Sequence, residues 1–256
     1  MISPTIPSLS QKTALVTGAS GGIGHATARL FARSGTDLIL HGHTNRKSLE
    51  SLAAELKANH PDVVISTVYA DLTLDAEQDR LIEDVSNLCS APDILVLAAG
   101  IDLMSAAMKH LSFGERLAKL WQVDVVSAIR IARFFGNHMK DRCQGTIVFF
   151  GWDGVEHGMA GETAQLYATA KGAVQSFSRS LARSLAPEVR VNCVAPGWIK
   201  TTWGETASHI TDNRVATESL AQRWGTADEV AVVVRFLVSD AAAYINNQTI
   251  RINGGR

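Results

Sequence analysis

The sequence is poor in cysteine and proline, carries no excess of charge of either sign, and holds no long apolar run. Its three cysteines, Cys89, Cys143 and Cys193, are odd in number and far apart. They make no disulfide framework, and a reducing compartment suits them. None stands beside a second cysteine or a histidine at metal-ligand spacing, so no metal is expected. Six prolines in 256 residues leave no proline-rich linker, and no repeat or shift of composition divides the chain. No apolar run approaches the roughly 20 residues that span a bilayer. The opening MISPTIPSLSQK lacks the basic-then-apolar order of a secretion signal. The 24 basic and 25 acidic residues nearly cancel, to a formal charge of -1. Neither nucleic acid nor an anionic membrane is therefore expected as a partner. What is present is apolar substance: 46% of residues are hydrophobic and 19% charged, enough to bury a sizeable core. The expectation is a cytoplasmic protein with a flexible tail, residues 1–10, and one folded domain, residues 11–256.

Short Val-, Ile- and Leu-rich runs recur along the chain, at Thr13–Thr17, Asp37–His41, Val64–Ala70, Ile94–Ala98, Thr146–Phe150, Val189–Val194 and Gln248–Ile252. They lack strict alternation, which marks strands covered on both faces. Between them, apolar residues at helical spacing predict helices at Gly22–Arg33, Arg46–Ala58, Asp75–Leu88, Phe113–Met139, Thr163–Leu185 and Asp228–Leu237. Asp75 is of the type that caps a helix N-terminus. Strand alternating with helix predicts an α/β fold: a doubly wound, mainly parallel sheet of about seven strands with helices on both faces. The polar stretch from about 201 to 224, with Trp203 and Trp224, breaks the alternation. It reads as a lid over a site or as a surface insertion.

Four of the 20 glycines fall between Gly18 and Gly24, in Thr17-Gly18-Ala19-Ser20-Gly21-Gly22-Ile23-Gly24. This stretch follows the first strand and opens the first helix. Such a turn needs residues without Cβ, so that the chain can reverse tightly and the backbone can approach a pyrophosphate. The helix N-terminus then receives the phosphate charge. Ser20 and Ile23 lie in the same turn.

This pattern, with seven further features, resembles the short-chain dehydrogenase/reductase family, and its 3-oxoacyl-acyl-carrier-protein reductase-like members in particular. Asp71-Leu72 follows the third strand, Ala98-Ala99-Gly100 ends the fourth, and Tyr167-Ala168-Thr169-Ala170-Lys171 is similar to the family's Tyr-x-x-x-Lys. Asn192, Pro196-Gly197, Phe236–Asp240 and Ile252–Gly255 complete the likeness. The resemblance implies a Rossmann domain that binds NAD(H) or NADP(H), commonly as a homotetramer or homodimer. The cofactor would contact Gly18, Ser20, Gly22, Ile23, Gly24, Asp71, Leu72, Ala98, Ala99, Gly100, Tyr167, Lys171, Pro196, Gly197 and Ile199. Tyr167 would act as general acid/base, with Lys171 lowering its pKa and holding the nicotinamide ribose. After the second strand comes Gly42-His43-Thr44-Asn45-Arg46-Lys47, with no acidic residue before Glu50. An acid there would bond the ribose hydroxyls and repel a 2′-phosphate. Thr44, Asn45 and Arg46 suit that phosphate, so NADP(H) is expected over NAD(H).

The catalytic pattern departs from the family in two places. Gly151 and Trp152 stand where serines end the fifth strand, and no serine lies between Gly151 and Leu166. Asp124 stands where the family has Asn. Trp152 can offer an indole N–H to a carbonyl or form an apolar wall, and Asp124 can accept from Lys171 or a water. Asp153, His157 and Thr163 are further polar candidates in the same loop. Two readings follow. One is an NADP(H)-dependent oxidoreductase moving a hydride between nicotinamide and a small ketone or secondary alcohol. The other is an NADP(H)-binding relative with lost or reduced catalysis. Trp152, Met159, Trp198 and Trp203 suggest an apolar pocket for the small-molecule substrate.

Overall fold

The computed structural model describes residues 8–201 and 209–255, with side chains from 214 onward in the second stretch. Residues 1–7 of the expected tail and Trp203 of the expected pocket lie outside the described residues. Within residues 8–10, the described part of the expected tail, the chain is packed onto the fold. Leu9 is fully buried, and its carbonyl accepts hydrogen bonds from the Lys12 N–H and the Thr36 hydroxyl.

The chain runs β1 (Thr13–Thr17), α1 (Gly22–Ala32), β2 (Asp37–Gly42), α2 (Arg46–Asn59), β3 (Ile65–Tyr69), α3 (Asp75–Leu88) and β4 (Ile94–Leu97). A short α4 (Ala106–Lys109), α5 (Phe113–Leu120), a π-helical turn (Trp121–Val126) and α6 (Ser127–Asp141) lead to β5 (Gly145–Phe150). Then follow α7 (Glu162–Leu185), β6 (Val189–Pro196), β7 (Ile199–Lys200), α8 (His209–Glu218), β8 (Gly225–Thr226), α9 (Ala227–Val238) and β9 (Thr249–Ile252). Seven strands form one parallel sheet in the order β3-β2-β1-β4-β5-β6-β9, and β7 pairs with β8 in a separate parallel ribbon.

Alternate residues of the central strands feed two apolar cores. Leu15, Leu95, Leu97, Ile147 and Phe149 face α3 and the long helices, whereas Ala14, Val16, Val96, Val148 and Val194 face α1, α2 and α9. That double coverage is why these runs lack polar alternation. The chain order reverses between β1 and β4, which opens a crevice at their C-terminal ends, the usual ligand position in such sheets.

Two local expectations are corrected. Asp75 is the first residue of α3 and not its cap. Leu74 occupies the cap position, and the Asp75 carboxylate instead receives Gln122 Nε2 and Arg130. The predicted helix over 113–139 is broken by the π-helical turn, which carries Asp124 inward. Of the apolar residues on the long helices, Leu120, Val123, Ile131, Leu166, Val174 and Leu181 are core, whereas Trp121 and Phe134 stay exposed at 40% and 37%.

Candidate functional site

The glycine turn is built by sterics and one buried histidine. Gly18 has φ +68°, and a Cβ there would sit 2.7 Å from Ala99 Cα and 2.8 Å from the Ala98 carbonyl. A Cβ at Gly24 would meet the Gly18 carbonyl at 2.4 Å, and one at Gly22 would meet Thr201 at 2.9 Å. At Gly18 and Gly24 the crowding is with backbone, which cannot step aside, whereas at Gly22 it is with the Thr201 side chain. His41, at the end of β2, is 2% exposed. Its Nδ1 lies 3.3 Å from the Gly18 nitrogen and its Nε2 3.1 Å from the Ala70 carbonyl. The Gly18 N–H is a donor, so Nδ1 must accept, and Nε2 carries the proton that goes to Ala70. Burial lowers the His41 pKa to about 4 and keeps the ring neutral in that tautomer. α1 opens on Gly21 with no side-chain cap. An uncapped N-terminus beside a Cβ-free turn is the arrangement a pyrophosphate fits.

The ends of β2 and β3 meet beside this turn. Asn45 caps α2 by accepting from the Ser48 N–H, and Thr44 is exposed. Arg46 lays its guanidinium 4.5 Å from the centre of the Tyr69 ring. Asp71 accepts from the Thr73 N–H and hydroxyl, and its other oxygen lies 3.6 Å from His43 Nε2. Those Thr73 hydrogen bonds and the nearby His43 hold its carboxyl below the usual range, against desolvation, the largest single influence. Leu72 is core, and its carbonyl accepts from Gln78.

On the other side of the crevice stand Tyr167 and Lys171, one turn apart on α7. Lys171 is 8% exposed and Asp124 3%. They form an ion pair with Lys171 Nζ 2.7 Å from Asp124 Oδ2. The backbone of Ile101 links Asp124 to Tyr167. Its N–H donates to Asp124 Oδ1 at 2.9 Å, and its carbonyl accepts from the Tyr167 hydroxyl at 3.2 Å. This chain's own groups shift the Tyr167 pKa in the direction opposite to the one a lone ammonium would give. Burial, then the charges of Asp124 and Asp102, push it above the ordinary tyrosine value. Lys171 spends its charge on Asp124, which explains the difference.

β5 ends at Phe150, so Gly151 and Trp152 stand directly at the strand end. Gly151 has no room for a side chain: a Cβ would lie 2.5 Å from Gln175 Nε2. The Trp152 ring folds over Gly154 and meets Tyr167 edge-on, centroids 6.1 Å apart. Trp152 thus walls the tyrosine. Asp153 is turned inward, where Asn253 donates to it, and His157 is exposed. Pro196 ends β6, and Gly197 is pressed against Asn253, with its N–H bonded to the Ile252 carbonyl. Ile199, 7% exposed, is part of the core. Trp198 packs toward the end of α8. Its indole N–H donates to Glu218, and its ring lies edge-on to Trp224.

The structure therefore gathers Gly18, Ser20, Gly22, Ile23, Gly24, Asp71, Ala98, Ala99, Gly100, Asp124, Trp152, Tyr167, Lys171, Pro196 and Gly197 around one crevice at the strand ends. Arg46 is directed onto the outer edge strand instead. Three groups went unseen in the sequence. The Ile101 peptide carries no side-chain signal. His43 was passed over beside the more obvious Arg46. His41 had one cue, a histidine closing an otherwise apolar strand.

A family model described as enoyl-(acyl carrier protein) reductase matches residues 18–256. Nodulation protein G of a Rhizobium species is 34% identical over 250 residues, covering 96% of this chain and 97% of its own. A 3-oxoacyl-acyl-carrier-protein reductase of Aquifex aeolicus is 33% identical, covering 96% and 98%. Among solved structures, L-sorbose reductase of Gluconobacter frateurii, complexed with NADPH and L-sorbose, superposes with a TM-score of 0.86 at 28% identity over 98% of both chains.

Proposed function

The chain belongs to the short-chain dehydrogenase/reductase family, and on that premise we propose that it is an NADP(H)-dependent oxidoreductase acting on a small ketone or secondary alcohol. The observation that carries this reading is the Tyr167–Lys171 pair, placed on α7 across the crevice from the Cβ-free turn. A protein that only held the cofactor would need the lysine and the glycines but not a tyrosine hydroxyl at the same place.

The cofactor would lie along the C-terminal ends of β1, β4, β5 and β6. Gly18, Ser20, Gly22, Ile23 and Gly24 would take the pyrophosphate. Asp71 and Leu72 would border the adenine, and Ala98–Gly100, Pro196, Gly197 and Ile199 would line the nicotinamide half. When bound, the reduced nicotinamide supplies the hydride that the carbonyl carbon receives. Tyr167 gives its hydroxyl proton to the carbonyl oxygen, so a C=O becomes a CH–OH. Lys171 holds the nearby ribose hydroxyls, and the wall formed by Trp152 limits the depth of the substrate. Thr44, Asn45 and Arg46, with no acid among them, favour a 2′-phosphate. For that, Arg46 has to swing off Tyr69, a movement open to an exposed side chain.

We assign the whole of residues 11–256 to one domain, with the stretch from about 201 to 224 as its lid. We place the protein in the cytoplasm as a homotetramer or homodimer, in which the exposed Trp121 and Phe134 would be covered. Sedimentation of the purified protein tests the assembly.

The functional test is NADPH oxidation against a panel of ketones that includes L-sorbose and 3-oxoacyl thioesters, run beside Tyr167→Phe. Turnover lost in the variant supports the reading. The missing serine favours a second reading, an NADP(H)-binding protein with little or no catalysis. Tight NADPH binding with no turnover on any substrate selects that one.

A further inference from the structure

Asp124 is the feature of this site that the oxidoreductase reading leaves unused. In place of a neutral amide the chain buries a carboxylate against Lys171, at 2.7 Å, with 3% and 8% exposure. Truncating either partner would strand a buried charge, so the two are maintained together. The consequence falls on Tyr167. A lysine ammonium next to a tyrosine normally favours the ionised phenolate. Here the ammonium is already matched by a carboxylate, and the Tyr167 hydroxyl is tied through the Ile101 peptide to that same carboxylate.

Resting on the oxidoreductase reading, we propose that Asp124 is a positioning residue that matches the Lys171 ammonium with an opposite charge, so that Tyr167 serves as a proton donor to carbonyls and is a poor base toward alcohols at neutral pH. Proton balance follows directly. In reduction, the hydroxyl proton of Tyr167 goes to the carbonyl oxygen and the carbon takes a hydride from reduced nicotinamide. In oxidation, Tyr167 must first be ionised to accept the alcohol proton. Among the described residues, the charged and titratable groups around the hydroxyl are few. They are Lys171 on its own helix, Asp124 from the π-helical turn, and Asp102 from the loop after β4. Beyond Lys171 lies Cys193 of β6, whose thiol burial pushes up to about 12, so it stays uncharged. Trp152 brings no charge. Every fixed negative charge in this set opposes ionisation of Tyr167, and the one positive charge is neutralised at contact.

The test reads Tyr167 directly. The chain has three tyrosines, Tyr69, Tyr167 and Tyr244. In the full-length protein carrying Tyr69→Phe and Tyr244→Phe, the ultraviolet tyrosinate band therefore reports Tyr167 alone. In that background the band should not appear before alkaline unfolding. Adding Asp124→Asn should bring it in about one to two pH units below that limit, the usual effect of an adjacent, unmatched ammonium. Adding Lys171→Met to Asp124→Asn should remove the shift again, which a merely structural role for Asp124 would not do. If Asp124→Asn does not fold by circular dichroism, Asp124→Ser is read in the same way. A band at the same pH with and without Asp124 overturns the proposal. The titration needs no substrate, so the two readings fail separately. A shifted band with no turnover on any carbonyl leaves the role of Asp124 standing and removes the oxidoreductase. Full NADPH-dependent turnover with an unshifted band does the reverse.

Discussion

Acid should loosen this protein through His41 before its carboxylates matter. The ring is neutral in the fold, with a pKa lowered from 6.5 to about 4, chiefly by burial. The unfolded chain has no such burial and titrates near 6.5. Above that pH neither state carries the proton, and the full stability is present. Between 6.5 and 4 the unfolded state binds a proton that the folded state refuses, so stability falls as pH falls. At about 1.36 kcal/mol per unit the total is about 3 kcal/mol, complete near pH 4. That is a large share of the stability of an ordinary domain. The lowered carboxylates Glu55 and Glu229 act later, since their loss begins only as pH drops through the ordinary carboxylate value of 4.5. The assay is urea unfolding at steps from about pH 7 to about pH 4.5 for the parent and His41→Asn. The variant keeps an acceptor for the Gly18 N–H but cannot titrate. It should begin about 1–2 kcal/mol less stable, because the Ala70 carbonyl loses its donor. It should then lose less with acid than the parent does. Parallel pH slopes for the two proteins would refute the reasoning.

Other perturbations have equally definite outcomes. Gly18→Ala forces a Cβ into backbone at 2.7 Å with φ +68°. It should cost at least about 1–2 kcal/mol of stability from the dihedral alone and abolish NADPH binding measured by calorimetry. Tyr167→Phe removes one hydrogen bond, to the Ile101 carbonyl. Melting temperature should barely move, while kcat drops by about 10²–10⁴. Trp152→Ala takes away the ring lying on Gly154 and Tyr167, and should lower stability by about 2 kcal/mol in denaturant titration while admitting bulkier ketones in a substrate panel. Thr226→Ala breaks the capping box with Glu229 at the start of α9 and should cost about 1 kcal/mol by the same titration.

Legibility in the sequence followed physical redundancy. β1 was readable to the residue, since Thr13–Thr17 is an apolar run bounded by polar Lys12 and glycine. Doubly covered strands repeat that signal along the whole segment. The π-helical turn had no such signal. Six residues at a slightly different pitch leave the apolar spacing of a long helix nearly unchanged, yet this turn aims Asp124 inward. β7 and β8 are two residues each, too short for any periodicity. At the site, the glycines were legible because sterics demand them. The link between Asp124 and Lys171 was readable only as one option among several. Their contact depends on the tertiary placement of two helices, and on the Ile101 backbone that lies between them.

The small ribbon of β7 and β8 has an engineering consequence. Ile199–Lys200 and Gly225–Thr226 lie side by side as parallel partners, so the two ends of the stretch between them are held together. Chain inserted between such ends is cheap to lengthen, since doubling a loop adds only about 0.6 kcal/mol of closure entropy. The stretch is nonetheless tied into the fold: Thr201 lies against Gly22 of the glycine turn, and the Leu220 and Ala221 N–H groups donate to the Gly255 and Gly254 carbonyls. An exchange of sequence there therefore has to keep Thr201, the buried Val215 and Ser219, and the bonds from Leu220 and Ala221.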